Sequence, residues 1–457
     1  MLLMSFIFPY PKGVDKSKYL EISNRLEARY GLPPEVKFCK SCVISNQRPS
    51  TSVEHKNDGF QKKNTINFNE NNICDACLVK KEKETIDWAE RESLFRDICN
   101  KYRKNDGSYD CLVPGSGGKD SFMTAHLLKY KYGMHPLTCT WAPHIYTDWG
   151  WENLQAWIDA GFDNILFTPN RKVHRFITRL ATEKLLYPFQ PFILGQKNYP
   201  PKVAIQNNIE LIIYGENQAE YGNKKEDSKD PKMSNAYFSV NQKDNIFIGG
   251  FSTNDLINFG LSKVDIDPYL PLDREIIEKN KINYQYLGFY EKWHPQGAYY
   301  YSMQNGNFRG APERSAGTYN TYNSIDDKVD DFHYHSTFIK FGIGRATYDT
   351  AQEIRSGEIT REEGVALIKK YDGEFPKRWS EEIFRYLSIS SDEFGSLSDL
   401  FENPIFDRKY YDLICDNHRS PHLWKWSASK GWELRKNIDD EDFISQELTA
   451  KNWKGNQ

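Results

Sequence analysis

Between residues 109 and 215 short apolar runs alternate with longer segments whose apolar positions recur at helical spacing. Cys111 to Val113 is a brief apolar run that breaks at Pro114-Gly115, the mark of a buried strand. From Ser121 onward, Phe122, Met123, Ala125, Leu127 and Leu128 take the apolar positions of a helix. Pro136 to Trp141 is a second strand, Asn153 to Ala160 a helix closed by Gly161, and Asn164 to Thr168 a third strand. Arg171 to Leu186 is helical, and Leu211 to Tyr214 is a strand ending at Gly215-Glu216-Asn217. Strands that alternate with helices predict an α/β fold with a doubly wound parallel sheet, whose ligands sit at the carboxyl ends of the strands.

The flanking pattern is less regular. Lys16 to Tyr30 has near-helical apolar spacing and stops at Gly31 and Pro33-Pro34, while Lys80 to Lys104 reads as one charged amphipathic helix with Ile86, Trp88, Leu94, Phe95 and Ile98 inward. Tyr221 to Asp244 is polar, an exposed excursion or lid. Thr350 to Arg355 is helical up to Gly357. Thr360 with Glu363 forms a capping box that opens a helix stopped by Gly373 and Pro376. The expected division is an N-terminal segment (1–35), a cysteine module (36–80), a nucleotide domain (81–260), the substrate-binding remainder of the catalytic domain (261–376) and a C-terminal extension (377–457).

Composition narrows the class. The 457 residues suffice for two or three domains, the net charge of −3 gives no support for a nucleic-acid binder, and mean hydropathy is −0.72. The first eight residues are apolar without a basic lead, a poor signal peptide, and no window reaches the roughly 18 apolar residues of a membrane span. Four of the eight cysteines form two Cys-x-x-Cys pairs, Cys39 with Cys42 and Cys74 with Cys77. Thiolates on two such knuckles can close a tetrahedral shell around one structural zinc; an iron–sulfur cluster or four free thiols are the alternatives. The expected setting is a reduced cytoplasm.

The chemistry concentrates at Pro114-Gly115-Ser116-Gly117-Gly118-Lys119-Asp120-Ser121. A strand running into a glycine-rich loop and a helix N-terminus is an anion site, because backbone N–H groups converge there and the helix dipole adds partial positive charge. It is not a Walker A loop: Val113 and Asp120 stand where that motif has Gly and Ser or Thr. Ser116 to Ser121 instead resembles the PP-loop of ATP pyrophosphatases, which cut ATP between the α and β phosphates. The strand-end rule puts Thr140-Trp141 and Phe167-Thr168 near the adenine and ribose. Gly342-Ile343-Gly344-Arg345 sets a flexible turn before a cation, suited to reach back to polyphosphate or merely to pack a surface arginine. Trp293-His294-Pro295, Arg309 and Glu313-Arg314 could grip a charged sugar nucleotide or serve packing, and His333 with His335 could be metal ligands or ordinary hydrogen-bonded histidines.

Taken together, the two cysteine pairs, the Pro114–Ser121 loop, Tyr214-Gly-Glu-Asn217, Ile339-Lys-Phe-Gly-Ile-Gly-Arg-Ala-Thr347 and Tyr371-Asp-Gly-Glu-Phe-Pro376 resemble the N-acetyl sugar amidotransferases of bacterial surface-polysaccharide and flagellar-glycan synthesis. The likeness covers roughly residues 35 to 376. It implies that ATP adenylates an acetamido oxygen on a sugar nucleotide or nonulosonic acid, and that ammonia then displaces AMP to leave an acetamidino group. It implies Lys119, the loop and Gly215 at ATP, Mg²⁺ near Asp120 or Glu216, and Lys340 and Arg345 on the α-phosphate. It also implies a separate glutaminase and barrel pair, similar to imidazole glycerol phosphate synthase, as ammonia source. The chain itself begins Met1-Leu2-Leu3, without an N-terminal cysteine nucleophile, and no cysteine sits on a glycine-flanked elbow. The rival reading is a zinc-containing tRNA sulfur transferase, for which Cys99, Cys111 and Cys139 form no paired motif.

Overall fold

A computed structural model describes residues 6–20, 26–50, 54–56, 62–215, 225–232, 239–240 and 246–438. The principal elements run α1 (Asp75–Lys83), α2 (Trp88–Tyr102), β1 (Cys111–Pro114), α3 (Lys119–His126), β2 (Pro136–Trp141), α4 (Asp148–Asp159), β3 (Asp163–Phe167), α5 (Arg171–Leu185), α6 (Gln190–Gln206), β4 (Leu211–Tyr214) and β5 (Asn283–Tyr286). Then come α7 (Pro295–Gly306), α8 (Asp330–Phe341), α9 (Arg345–Ser356), α10 (Arg361–Tyr371) and α11 (Arg408–His418), with shorter turns and ribbons between.

The five strands form one parallel sheet in the order β3-β2-β1-β4-β5, with Cys111 opposite both Pro136 and Leu211. Alternation along β1 sends Cys111 and Val113 to one face, where they meet Phe95, Phe122 and Trp157 from α2, α3 and α4. Leu112 faces the other side, against Val203 and Ala204 of α6. Both faces are therefore covered, as a parallel sheet requires. The strand order reverses between β1 and β4, and the glycine-rich loop lies at that switch point, where ligands of open α/β sheets bind.

Three elements depart from the pattern reading. The fifth strand comes from Asn283–Tyr286, beyond the expected boundary at 260. The span Lys80–Lys104 is two helices rather than one: α1 ends at Lys83 and α2 starts afresh behind Asp87, whose carboxylate caps the Ala89 and Glu90 amides. The span Lys16–Tyr30 shows only a 3₁₀ turn over Lys16–Tyr19 followed by extended Leu20; residues 21–25 lie outside the described residues. The capping box of Thr360 and Glu363 is present and opens α10.

The C-terminal part is mostly helical and shares one aromatic core with α5. Phe176, Ile177 and Leu180 of α5 pack with Phe332, Phe401, Tyr410 and Tyr411, and Phe8 joins from the N-terminal segment. Tyr19 and Tyr30 donate their hydroxyls to the carbonyls of Arg419 and His418. Among the described residues no helix is long and apolar enough to cross a membrane.

Candidate functional site

Glycine is required in the loop by contact and by conformation. Gly117 has φ +83°, and a Cβ there would stand 2.8 Å from the Asn153 carbonyl oxygen and from the Leu154 Cα. A Cβ on Gly215 would meet the Thr124 hydroxyl at 2.5 Å and the Asp120 carbonyl at 2.8 Å, so the end of β4 sits against the first turn of α3. Two carbonyls are tied down: Ser121 donates to Gly118 O, and Ser302 of α7 donates to Lys119 O. Lys119 is 7% exposed and its Nζ lies 2.6 Å from Asp120 Oδ2, while the Trp293 indole donates to Asp120 Oδ1 at 2.9 Å. Ser116 and Asp326 face the same space above the loop.

A cavity of about 580 Å³ opens over this loop. Gly115, Ser116, Gly118, Lys119, Asp120 and Ser121 form one wall, with Gly215 beside them, and Arg345, Asp330 and Lys340 form another. Arg48, Glu54 and Lys63 of the cysteine module complete it. Phosphate loop, C-terminal helices and cysteine module thus meet at one volume. Thr140 is not in that wall. The strand alternation turns Cys139 and Trp141 towards a small recess beside Pro114, Gly115 and Ser116, whereas the Thr140 hydroxyl accepts from Asn164. Glu216 and Asn217 lie outside the described residues.

The two distant cations reach the cavity already paired. Lys340 Nζ contacts Glu54 Oε1 and the Leu185 carbonyl, each at 2.7 Å, and Lys63 takes the other Glu54 oxygen at 2.9 Å. Burial draws Lys340 down to about 8 in spite of Glu54. Burial alone would raise Glu54, but Lys340 and Lys63 outweigh it and bring the carboxyl to about 2. Both values leave the pair ionised at neutral pH. Arg345 lies 3.6 Å from Asp330, 3.4 Å from Asp349 and over the Tyr334 ring. Burial works against its charge; Tyr334 and the neighbouring carboxylates more than offset that and raise it. Burial raises Asp326 and, more strongly, Asp330. Asp120, Lys119 and Arg345 therefore do come together, while Asp326, Asp330, Glu54 and Trp293 were not assigned these positions by the sequence reading. The repeated acidic pairs in Ile325-Asp-Asp-Lys-Val-Asp-Asp331 were the available signal.

The remaining candidates separate. His333 lines the cavity, stacked on Tyr187 and Phe189, and burial brings it to about 3. His335 instead bonds the Tyr411 hydroxyl at 2.9 Å, so the two form no metal pair. Arg314 makes two bonds to Glu374 at 2.6 and 2.8 Å and is not among the cavity residues.

The four cysteines Cys39, Cys42, Cys74 and Cys77 converge, their sulfurs all within 4.8 Å of one another. Cys39 and Cys77 are 3.9 Å apart and Cys42 and Cys74 3.7 Å. A tetrahedron with metal–sulfur bonds of about 2.3 Å has edges of about 3.8 Å, so the cage fits one such ion. The amides of Ser41, Cys42 and Cys74 donate to the Cys39 sulfur, and Arg361 of α10 holds the carbonyls of Cys42 and Cys39. The pattern lowers Cys39 through hydrogen bonds from the other three thiols, led by Cys42.

Fold and loop define a parallel α/β protein with a glycine-rich strand-to-helix loop at its switch point, joined to a four-cysteine cage. Residues 316–438 match the family described as "LPS biosynthesis protein WbpG-like, C-terminal domain". The likeness is to that segment alone, about a quarter of the chain, and it is the segment that carries Lys340 and Arg345 of the cavity wall. An uncharacterized protein of Methanocaldococcus jannaschii, MJ1599, is 33% identical over 75 residues, which is 16% of this chain and 27% of that protein. An NH3-dependent NAD synthetase from Campylobacter jejuni, solved with a nitrate ion, is 19% identical with a TM-score of 0.24 and covers 30% of this chain and 59% of its own. The chain thus spans about a quarter of the curated relative and under two thirds of the solved one.

Proposed function

We propose that the protein is an ATP-dependent amidotransferase that converts the acetamido group of an N-acetyl sugar into an acetamidino group, releasing AMP and pyrophosphate. The observation that carries this reading is the single cavity in which the Ser116–Ser121 loop faces Lys340 and Arg345 of the WbpG-like segment. An amide oxygen is a poor leaving group, so it must be activated. The loop amides and Lys119 hold the β and γ phosphates while the amide oxygen attacks the α-phosphorus; the bond to the bridging oxygen breaks and pyrophosphate departs. Ammonia then adds to the imidate carbon, the C–O bond to AMP breaks, and the amidine remains. Arg345 and Lys340 face the α-phosphate, where fixed cations in a closed site stabilise developing charge. Asp120, a hard oxygen donor with its carboxylate open to the cavity, suits Mg²⁺, which neutralises the leaving pyrophosphate when bound. The four cysteines would hold zinc in a closed structural shell.

The sulfur-transferase alternative needs a reactive thiolate near the loop. Cys99, Cys111 and Cys139 are all buried, and burial pushes each upward, Cys99 to about 12, which counts against it. The deciding experiment measures pyrophosphate release with ammonium and a panel of acetamido sugar nucleotides and nonulosonic acids. Release that needs both supports the reading. Release that needs a sulfur donor and tRNA, or that yields ADP and phosphate, sinks it.

A further inference from the structure

Trp293 stands 173 residues from the phosphate loop in sequence, and yet its indole N–H reaches into it. The ring is 4% exposed and its donor lies 2.9 Å from Asp120 Oδ1. Its place is fixed by the helix that follows it. Ser302 of α7 donates to the Lys119 carbonyl at 2.9 Å, Tyr301 bonds His126 at 2.8 Å, and a Cβ on Gly306 would stand 1.7 Å from the Phe122 ring. Helices α7 and α3 are therefore locked together at several points, and the indole cannot drift from the carboxylate without unpacking them.

The two oxygens of Asp120 have different partners. Oδ2 takes Lys119 at 2.6 Å and Oδ1 takes Trp293. A lysine that binds polyphosphate must turn its ammonium to the incoming anion, which releases Oδ2. A carboxylate freed in this way would rotate unless its other oxygen were held, and only a group that carries no charge and does not itself bind phosphate can hold it throughout. The indole N–H is a donor only, with no acceptor and no titration in the working range.

We propose that Trp293 is a positioning residue for the nucleotide-bound divalent cation: it fixes Asp120 so that Oδ2, once Lys119 swings to phosphate, is presented to Mg²⁺. This rests on the PP-loop reading given above. Of Trp293-His294-Pro295, Trp293 is thereby given a place at the loop, while His294 accepts from the Gly297 amide at the start of α7. Hydrogen bonds to charged groups are stronger than neutral ones, and pre-orientation of a ligand oxygen is what a metal site needs from the residues behind it.

The test is calorimetric binding of ATP to the full chain, with Mg²⁺ and with EDTA, for wild type, Trp293→Phe and Trp293→His. Phe keeps an aromatic ring and removes the donor; His restores a ring N–H. The expected result is a loss of about tenfold in affinity for MgATP in Trp293→Phe, little change for metal-free ATP, and recovery of the Mg²⁺-dependent part in Trp293→His. Equal losses with and without metal would make Trp293 a packing residue and overturn the proposal, as would unchanged MgATP binding. Should Trp293→Phe fail to fold, Trp293→His carries the comparison: wild-type preference for MgATP supports the proposal, and loss of that preference overturns it. A wild-type chain that binds no ATP in either condition would instead refute the phosphate-loop reading itself.

Discussion

Lys119 carries the loop's one formal positive charge. It is nearly buried, its backbone carbonyl is anchored by Ser302, and its ammonium is poised beside Asp120 at the cavity wall. Lys119→Ala removes the formal charge without disturbing the glycine contacts that shape the loop. ATP-dependent pyrophosphate release should fall by at least about a hundredfold, as for loss of a preorganised oxyanion donor, with the unfolding midpoint nearly unchanged. Wild-type release by that variant would remove Lys119 from the mechanism. Glu54 tests a different property. Its carboxylate is the counter-charge for Lys340 and Lys63, so Glu54→Gln leaves two ammonium groups facing one another and should destabilise the fold by about 3–5 kcal/mol. The sign with pH follows from the lowered carboxyl. Glu54 titrates at about 2 in the folded chain and near about 4.3 when unfolded, so its contribution is whole above the unfolded value and disappears as pH falls through the folded one. The stability gap between wild type and Glu54→Gln, measured by denaturant unfolding, should therefore narrow between about pH 5 and about pH 2. A gap that stays constant across that window would show that the pair is not what separates the two proteins.

At the level of elements, the cysteine cage does more than cap the N-terminal region. Arg361 of α10 bonds two carbonyls of the first knuckle, and Ile343 and Ala351 pack in the same apolar cluster as the four cysteines. The chain leaving that knuckle supplies Arg48, Glu54 and Lys63 to the cavity. Cys77→Ser should lower metal from about one ion per chain, read by elemental analysis, and depress the thermal midpoint more than the rate per folded molecule. An iron absorption band would overturn zinc as the ion; a stable, metal-free Cys77→Ser protein would overturn the structural role. Elements also show what the sequence made legible. Four strands of the sheet were readable because their short, largely apolar runs lead into glycine or proline, and Ser116–Ser121 was readable because all six residues are consecutive. Helix α6 escaped because Pro200 and Pro201 sit inside it and read as breakers, although burial against the sheet holds it helical. The Lys340–Glu54 pair escaped for another reason: its partners are 286 residues apart, and nothing local to either announces the other. Thr140 is absent from the cavity lining because the strand-end rule selects a level in the sheet, while the period-two alternation decides which face a side chain takes.

At the level of the whole molecule, the question is where the nitrogen comes from. The proposed reaction consumes neutral ammonia, which protonation in bulk water would render non-nucleophilic. A glutaminase within this chain would need an accessible thiolate beside a histidine. All eight cysteines are buried. Four of them close the cage, and burial raises Cys99, Cys111, Cys139 and Cys415 away from the thiolate form. None is therefore available as the nucleophile, and we propose a separate glutaminase with an ammonia channel as the nitrogen source. The purified chain, given ATP, Mg²⁺ and an acceptor that turns over with ammonium, should form amidine from ammonium salt at mildly alkaline pH and none from glutamine. The dependence should be on un-ionised ammonia: the apparent KM expressed in total ammonium should fall as pH rises towards the ammonium pKa. Glutamine-driven turnover by the chain alone would refute the partner hypothesis. Turnover in which total ammonium, rather than its neutral fraction, sets the rate would show that the cavity itself removes the proton, and that no channel is needed to keep ammonia neutral.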